Sequence, residues 1–232
     1  MKNRIEHLFF DLDHTLWDFE TNSRVTLLEL FTETGLEHKG LDFELFYSAY
    51  KAINEELWSE YRQKKIDKST LRARRFAEAL LSVRVNSSEI AEHFETEYVA
   101  RSPHKTALMP NVMETLHSLK PYFHIHIITN GFSEVQDVKI EKSGLKPYIT
   151  HRITSDIVGV HKPDPEIFRQ ALFLTGAKQR NSVMIGDHLE ADVLGAMHAG
   201  LEAVYFNPDL KPHNQKIKYE IAKMSQLLDI LL

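Results

Sequence analysis

At 232 residues and 43% hydrophobic content, the chain can build one large domain or two of modest size, each with a buried core. A formal net charge of −5 and a charged fraction of 26% leave no general basic surface for a nucleic-acid polymer, although a local pocket for one small phosphate stays compatible with them. The absence of cysteine excludes disulfides, thiolate metal sites and cysteine nucleophiles together, so any metal must be held by oxygen or imidazole.

From Lys2 and Arg4 the chain enters an apolar run that Asp11 interrupts too early for a signal segment or a membrane span, so a cytoplasmic enzyme with no membrane partner is expected. Residues 5–10 read as a buried strand that ends in Asp11-Leu12-Asp13-His14-Thr15-Leu16-Trp17-Asp18. Side chains at i and i+2 of a strand share a face, so Asp11 and Asp13 would repel each other unless a cation or a division of labour relieved them. If the chain leaves the strand after Asp11, Asp13 can turn toward a different partner.

Helical periodicity then takes over, with helices expected over 22–34, over a stretch capped by Asp42, over 69–82 and over 87–100. The Asp42-capped stretch keeps Phe43, Phe46, Tyr47, Tyr50, Ile53, Leu57, Trp58 and Tyr61 on one face. Short apolar runs return at 125–128, 152–154, 182–186 and 203–206, separated by helical segments that stop at Gly144, Gly176 and Gly200. This βαβα order predicts an α/β fold with a parallel, Rossmann-like core sheet flanked by helices. Ligands of such sheets bind beyond the carboxyl ends of the strands, so a helical insertion leaving from that end would act as a lid.

Residues suited to phosphate or magnesium recur at these ends. They are Asp11 and Asp13, then Thr129-Asn130-Gly131, then Lys162-Pro163-Asp164-Pro165, then Gly186-Asp187 with Asp192. In this order they resemble the haloacid dehalogenase superfamily of phosphohydrolases with a helical cap inserted after the first motif. The resemblance implies a catalytic core at 1–17 and 106–232 and a helical-bundle cap at 18–105. It also implies Asp11 as the nucleophile of an aspartyl-phosphate, and Asp13 as the acid and base that serves the leaving oxygen and the hydrolytic water. Mg²⁺ would be held by Asp11, the Asp13 carbonyl, Asp187 and Asp192. Thr129, Asn130 and Gly131 would bind the phosphoryl oxygens, with Lys162 neutralising charge. Cations are needed because two unit charges ~4 Å apart cost about 4 kcal/mol even at an effective dielectric of ~20.

His14 departs from the glycine of many relatives and His188 from a common serine. Asp13 separates the chain from the dehalogenases, which lack that acid. Phosphonatases need a cap lysine; Lys51, Lys64, Lys65 and Lys68 are available and none stands out. Asp11 to Asp18, Leu57-Trp58 with Arg62, and Ala203-Val204-Tyr205-Phe206-Asn207-Pro208 look most like the pyrimidine 5'-nucleotidase branch, which implies a small phosphomonoester as the partner. Trp17, Trp58 and Arg62 are then candidate substrate contacts, with packing or a solvated face as the alternative for each. Alternative activities are a sugar-phosphate or phosphoglycolate phosphatase and a phospho-accepting regulatory protein. The histidines show no metal-ligand spacing, and burial or an edge position accounts for His124 and His126.

Overall fold

The computed structural model describes residues 4–232, so Lys2 and the first positions of the expected core lie outside the described residues. The chain divides into two compact units. One comprises the chain up to Phe19 with Thr106–Leu232, and the other is Glu20–Lys105.

The second unit is built from α1 (Phe19–Glu33), α2 (Phe43–Arg62), α3 (Lys68–Ser82) and α4 (Ser88–Arg101). Side-chain caps set three of the starts: Asp42 accepts from the backbone N–H of Glu44 and Leu45, Asp67 from Thr70 and Ser87 from Ile90. Each such cap contributes about 1 kcal/mol. Helix α1 begins before the expected position because Asn22 and Ser23, cap-like in sequence, are buried inside the helix. The core is aromatic, with Tyr50 stacked on Phe76 at 5.4 Å and Phe46 edge-on to Phe94 at 5.5 Å. Arg75 is buried among these rings and tolerated there by an ion pair to Glu95 at 2.8 Å.

In the first unit, β1 (His7–Phe10), β2 (His124–Thr129), β3 (Ile149–Thr154), β4 (Ser182–Gly186), β5 (Glu202–Phe206) and β6 (Glu220–Ile221) form a wholly parallel sheet of order β3-β2-β1-β4-β5-β6. Strand β1 lies inside the sheet, which accounts for its unbroken apolar run. Around the sheet are α5 (Val112–Leu119), α6 (Ser133–Lys142), α7 (Ser155–Val158), α8 (Pro165–Thr175), α9 (Gly195–His198) and α10 (Leu227–Leu231). Alternation along β1 feeds two cores: Leu8 and Phe10 join Leu116, Ile140 and Leu227, whereas Phe9 joins Phe168, Met184 and Ala196. The fold is therefore the expected parallel α/β sandwich.

Two features depart from expectation. The helical segment expected to stop at Gly200 opens as a π-helical turn, Leu189–Leu194, before α9, and β6 is a two-residue strand. Gly144, Gly176 and Gly200 do stop the preceding helices, with φ of 76°, 68° and 84°. The segments that leave and re-enter this unit are stitched together, Asp18 N–H donating to the Ala107 carbonyl at 3.0 Å and Met109 N–H to that of Leu16 at 2.9 Å. Among the described residues no helix is long and apolar enough to cross a membrane.

Candidate active site at the carboxyl ends of the strands

The strand order reverses direction of travel between β1 and β4, and that switch point is where parallel sheets leave a crevice for ligands. Asp11 follows the last residue of β1, its N–H still donating to the Ile185 carbonyl at 2.9 Å. The chain then folds into a tight loop, with the N–H of Trp17 donating to the Leu12 carbonyl at 2.8 Å and that of His14 to the Trp17 carbonyl at 2.9 Å. His14 takes φ of 62° in this loop, a left-handed backbone that glycine adopts most easily. The loop turns Asp13 away from Asp11, so the two acids expected to repel each other have different partners.

Asp11, Asp187 and Asp192 come together, a carboxylate oxygen of each lying within 4.8 Å of the others. Asp187 extends from β4 and is held by Thr15, whose hydroxyl donates to its Oδ1 at 2.9 Å and accepts from its N–H at 3.1 Å. Asp192 is delivered by the π-helical turn, its Oδ2 accepting from the His188 N–H at 3.0 Å. The wide turn thus returns the side chain onto the strand end it has just left. Gly186 makes room for it: a Cβ there would lie 2.3 Å from Asp192 Oδ2.

Lys162 is the cation of this cluster. It is buried, and its Nζ donates to Asp11 Oδ1 at 2.5 Å and to the Ile128 carbonyl at 2.7 Å, while lying 2.7 Å from Asp192 Oδ1. Asn130 holds the Lys162 backbone at both ends, its Nδ2 donating to the Lys162 carbonyl at 3.0 Å and its Oδ1 accepting from the Lys162 N–H at 2.8 Å. One ammonium does not balance three carboxylates. Burial, with repulsion from Asp192, pushes Asp187 up to about 7. Burial, opposed by Lys162 and aided by Asp192 and Asp187, raises Asp11 well above the usual carboxylate range. An all-oxygen cluster with surplus negative charge fits a hard divalent cation, and these residues can hold one.

Around Asp13 the structure adds two residues that sequence reasoning missed. Lys139 of α6 donates to Asp13 Oδ1 at 2.5 Å, and Gln136 donates to Asp13 Oδ2 and to Thr129 Oγ1, both at 2.8 Å. Burial would push the Asp13 carboxyl up, but the Lys139 charge and the hydrogen bonds from Lys139 and Gln136 outweigh it and hold Asp13 below the ordinary carboxylate range. Thr129 Oγ1 also accepts from the Gly131 N–H at 3.0 Å, so its own O–H is the group left to donate outward. Trp17 is fully buried, its ring under the Lys139 ammonium at 4.2 Å. Trp58 and Arg62 belong to α2 of the second unit, Trp58 edge-on to Tyr61 at 5.6 Å and Arg62 paired with Glu55 at 2.9 Å.

With this geometry in place, the sequence from residue 5 to residue 200 matches the haloacid dehalogenase-like hydrolase family. The chain belongs to that family. As a haloacid dehalogenase-like hydrolase it is 32% identical to the pyrimidine 5'-nucleotidase YjjG of Escherichia coli, over 86% of this chain and 85% of that one. It is 29% identical to the pyrimidine 5'-nucleotidase PynA of Streptococcus pneumoniae, over 97% of this chain and 94% of that one. Among solved structures, the magnesium-bound HAD-hydrolase YfnB of Bacillus subtilis superposes with a TM-score of 0.87 at 28% identity, covering 98% of this chain and 99% of that one. Of the signals that could have exposed Gln136 and Lys139, the clearest is their spacing of three on a helix that starts just after Thr129-Asn130-Gly131, which turns both toward the strand end.

Proposed function

We propose that the protein is a cytoplasmic, Mg²⁺-dependent phosphomonoesterase that works through an aspartyl-phosphate on Asp11, with pyrimidine nucleoside 5'-monophosphates as its preferred substrates. The observation that carries the reaction class is the arrangement of Asp11 and Asp13: one carboxylate beside Lys162 and the acidic cluster, the other held apart from it by its own partners. Displacing halide from carbon needs no proton on the leaving group, whereas expelling an alkoxide from phosphorus does, and a second carboxyl meets that need.

Lys162 occupies Asp11 Oδ1, which leaves Oδ2 to attack phosphorus. As the new P–O bond forms and the ester P–O bond breaks, Asp13 passes to the leaving oxygen a proton that it takes up from the monoanionic form of the arriving phosphate ester, and Lys162 offsets the charge gathering on the phosphoryl group. Asp13 then takes a proton from water as that water attacks the aspartyl-phosphate, returning Asp11 and releasing phosphate. The Thr129 hydroxyl, with backbone N–H groups of Asn130 and Gly131, orients the phosphoryl oxygens. Asp11, the Asp13 carbonyl, Asp187 and Asp192 would hold Mg²⁺, which supplies electrostatic relief between nucleophile and phosphate. The nucleotide preference is supported by the likeness to YjjG and PynA.

The test is steady-state phosphate release with Mg²⁺ from pyrimidine and purine nucleoside 5'-monophosphates, sugar phosphates and phosphoglycolate, with Asp11→Asn as the control. Highest kcat/KM on a pyrimidine nucleotide is expected, and a sugar-phosphate preference would overturn the substrate assignment. Undiminished release in EDTA would remove the metal, a single burst without turnover would mark a phospho-accepting regulator, and more than ~10% of kcat in Asp11→Asn would remove the nucleophile.

A further inference from the structure

The buried ammonium of Lys139 needs its own account, because a fully desolvated lysine is costly unless something compensates it. Its compensation is threefold. Asp13 Oδ1 lies at 2.5 Å, the Trp17 ring at 4.2 Å, and the Phe19 ring at 5.8 Å. The fully buried Gln136, one turn earlier on α6, closes the other side of the same carboxylate at 2.8 Å and ties it to Thr129 Oγ1. Gly131 has no side chain where Gln136 passes: a Cβ there would lie 2.1 Å from Gln136 Nε2. Both oxygens of Asp13 are therefore gripped by donors from one helix face, and the neighbouring glycine and tryptophan are shaped around those donors.

We propose that Lys139 and Gln136 are positioning residues for Asp13, fixing the direction in which its carboxyl meets the leaving oxygen, with Trp17 as the aromatic floor on which Lys139 rests. This inference rests on the reading of Asp13 as the group that protonates the leaving oxygen. Lys139 does not itself touch substrate; its ammonium fixes one carboxylate oxygen as the amide of Gln136 fixes the other. Without Lys139 the carboxyl retains one tether and can rotate about its side-chain bonds, so that the oxygen that relays the proton is no longer held on the line of departure.

Leaving groups of different basicity read this role directly. An alkyl ester such as uridine 5'-monophosphate depends on a well-aimed proton, whereas 4-nitrophenyl phosphate expels a stable phenolate with little help. The ratio of their kcat/KM values, which reports the steps up to leaving-group departure, isolates the aim of Asp13 from its later work on water. General-acid assistance is worth roughly 100- to 10,000-fold, so Lys139→Met should lower the alkyl-to-aryl ratio by about 10- to 100-fold, and Lys139→Arg should restore most of it. Equal losses on both esters would overturn the proposal, as a merely structural lysine predicts.

Crystal structures of wild type and Lys139→Met supply a readout independent of turnover: the Asp13 carboxyl should turn about its remaining contact to Gln136 in the variant, and an unmoved carboxyl overturns the proposal. If the unmodified protein released phosphate from neither ester, the functional reading would fail while this structural comparison still decided whether Lys139 positions Asp13. Should Lys139→Met fail to fold, Gln136→Leu removes the other tether and is expected to shift the ratio in the same direction.

Discussion

Gly186 and Asp192 constrain each other tightly at the site. The missing Cβ of Gly186 is the space in which the Asp192 carboxylate lies, 2.3 Å from where that carbon would be. Gly186→Ala must therefore displace either the end of β4 or a ligand of the proposed metal, at a cost of about 1–3 kcal/mol for overpacking. Chemical denaturation together with a Mg²⁺ titration checks this: loss of stability and of Mg²⁺ affinity is expected, and unchanged values for both would show that Asp192 is free to move aside. Asp11 and Asp187 were legible in the sequence because each stands where an apolar strand gives way to polar residues, and Lys162 because it opens the run Lys162-Pro163-Asp164-Pro165 ahead of α8. Lys139, Gln136 and Thr15 were not. A lysine and a glutamine on a helix look like solvated surface, and only the packing of α6 beside the β1 loop turns them inward. Trp17, equally compatible with substrate contact and packing on sequence grounds, is fully buried with the Lys139 ammonium over its ring.

At the scale of elements, the amino ends of β1, β2 and β3 carry a histidine array on one face, opposite in strand direction to the acids. His7 is in register with His124, and His126 with His151, while His7 Nδ1 lies 3.0 Å from His126 Nε2. Burial and the neighbouring His7, His151 and His124 lower His126 to about 3; burial and His124 also lower His7, with Glu6 opposing. An unfolded histidine titrates near ~6.5, so below that pH the unfolded chain takes up protons that the native array refuses. Stability is therefore expected to be full above pH ~6.5 and to fall as the pH drops toward ~3, by up to about 1.4 kcal/mol per pH unit from His126. Urea denaturation across that range in wild type and His126→Phe tests it: an equally steep loss in the variant would remove the array as the cause. The parallel α/β sheet and the helix stops followed from periodicity and glycines. The π-helical turn and β6 did not, since Leu189–Leu194 reads as ordinary helix until Asp192 has to return to β4, and Glu220–Ile221 is too short to show alternation.

For the molecule as a whole, each unit has its own core, and the carboxylate cluster of Asp11, Asp187 and Asp192 lies in one of them. Binding Mg²⁺ at 100 times its Kd stabilises the state that holds it by about 2.7 kcal/mol, so calorimetry with and without the ion is expected to show a higher Tm for the unit that contains Asp11. A Tm indifferent to Mg²⁺ would place the ion elsewhere. The position of β1 has a further consequence, for biosynthesis. The strand made first pairs with β2 and β4, which are made long afterwards, because Glu20–Lys105 is synthesised in between. At about 5–20 residues per second, this apolar strand waits on the order of ten seconds on the ribosome before its first partner emerges. The helical unit is complete by then. The nascent chain thus carries Leu8, Phe9 and Phe10 unpaired through the folding of another domain, an interval in which chaperone capture competes with misassociation.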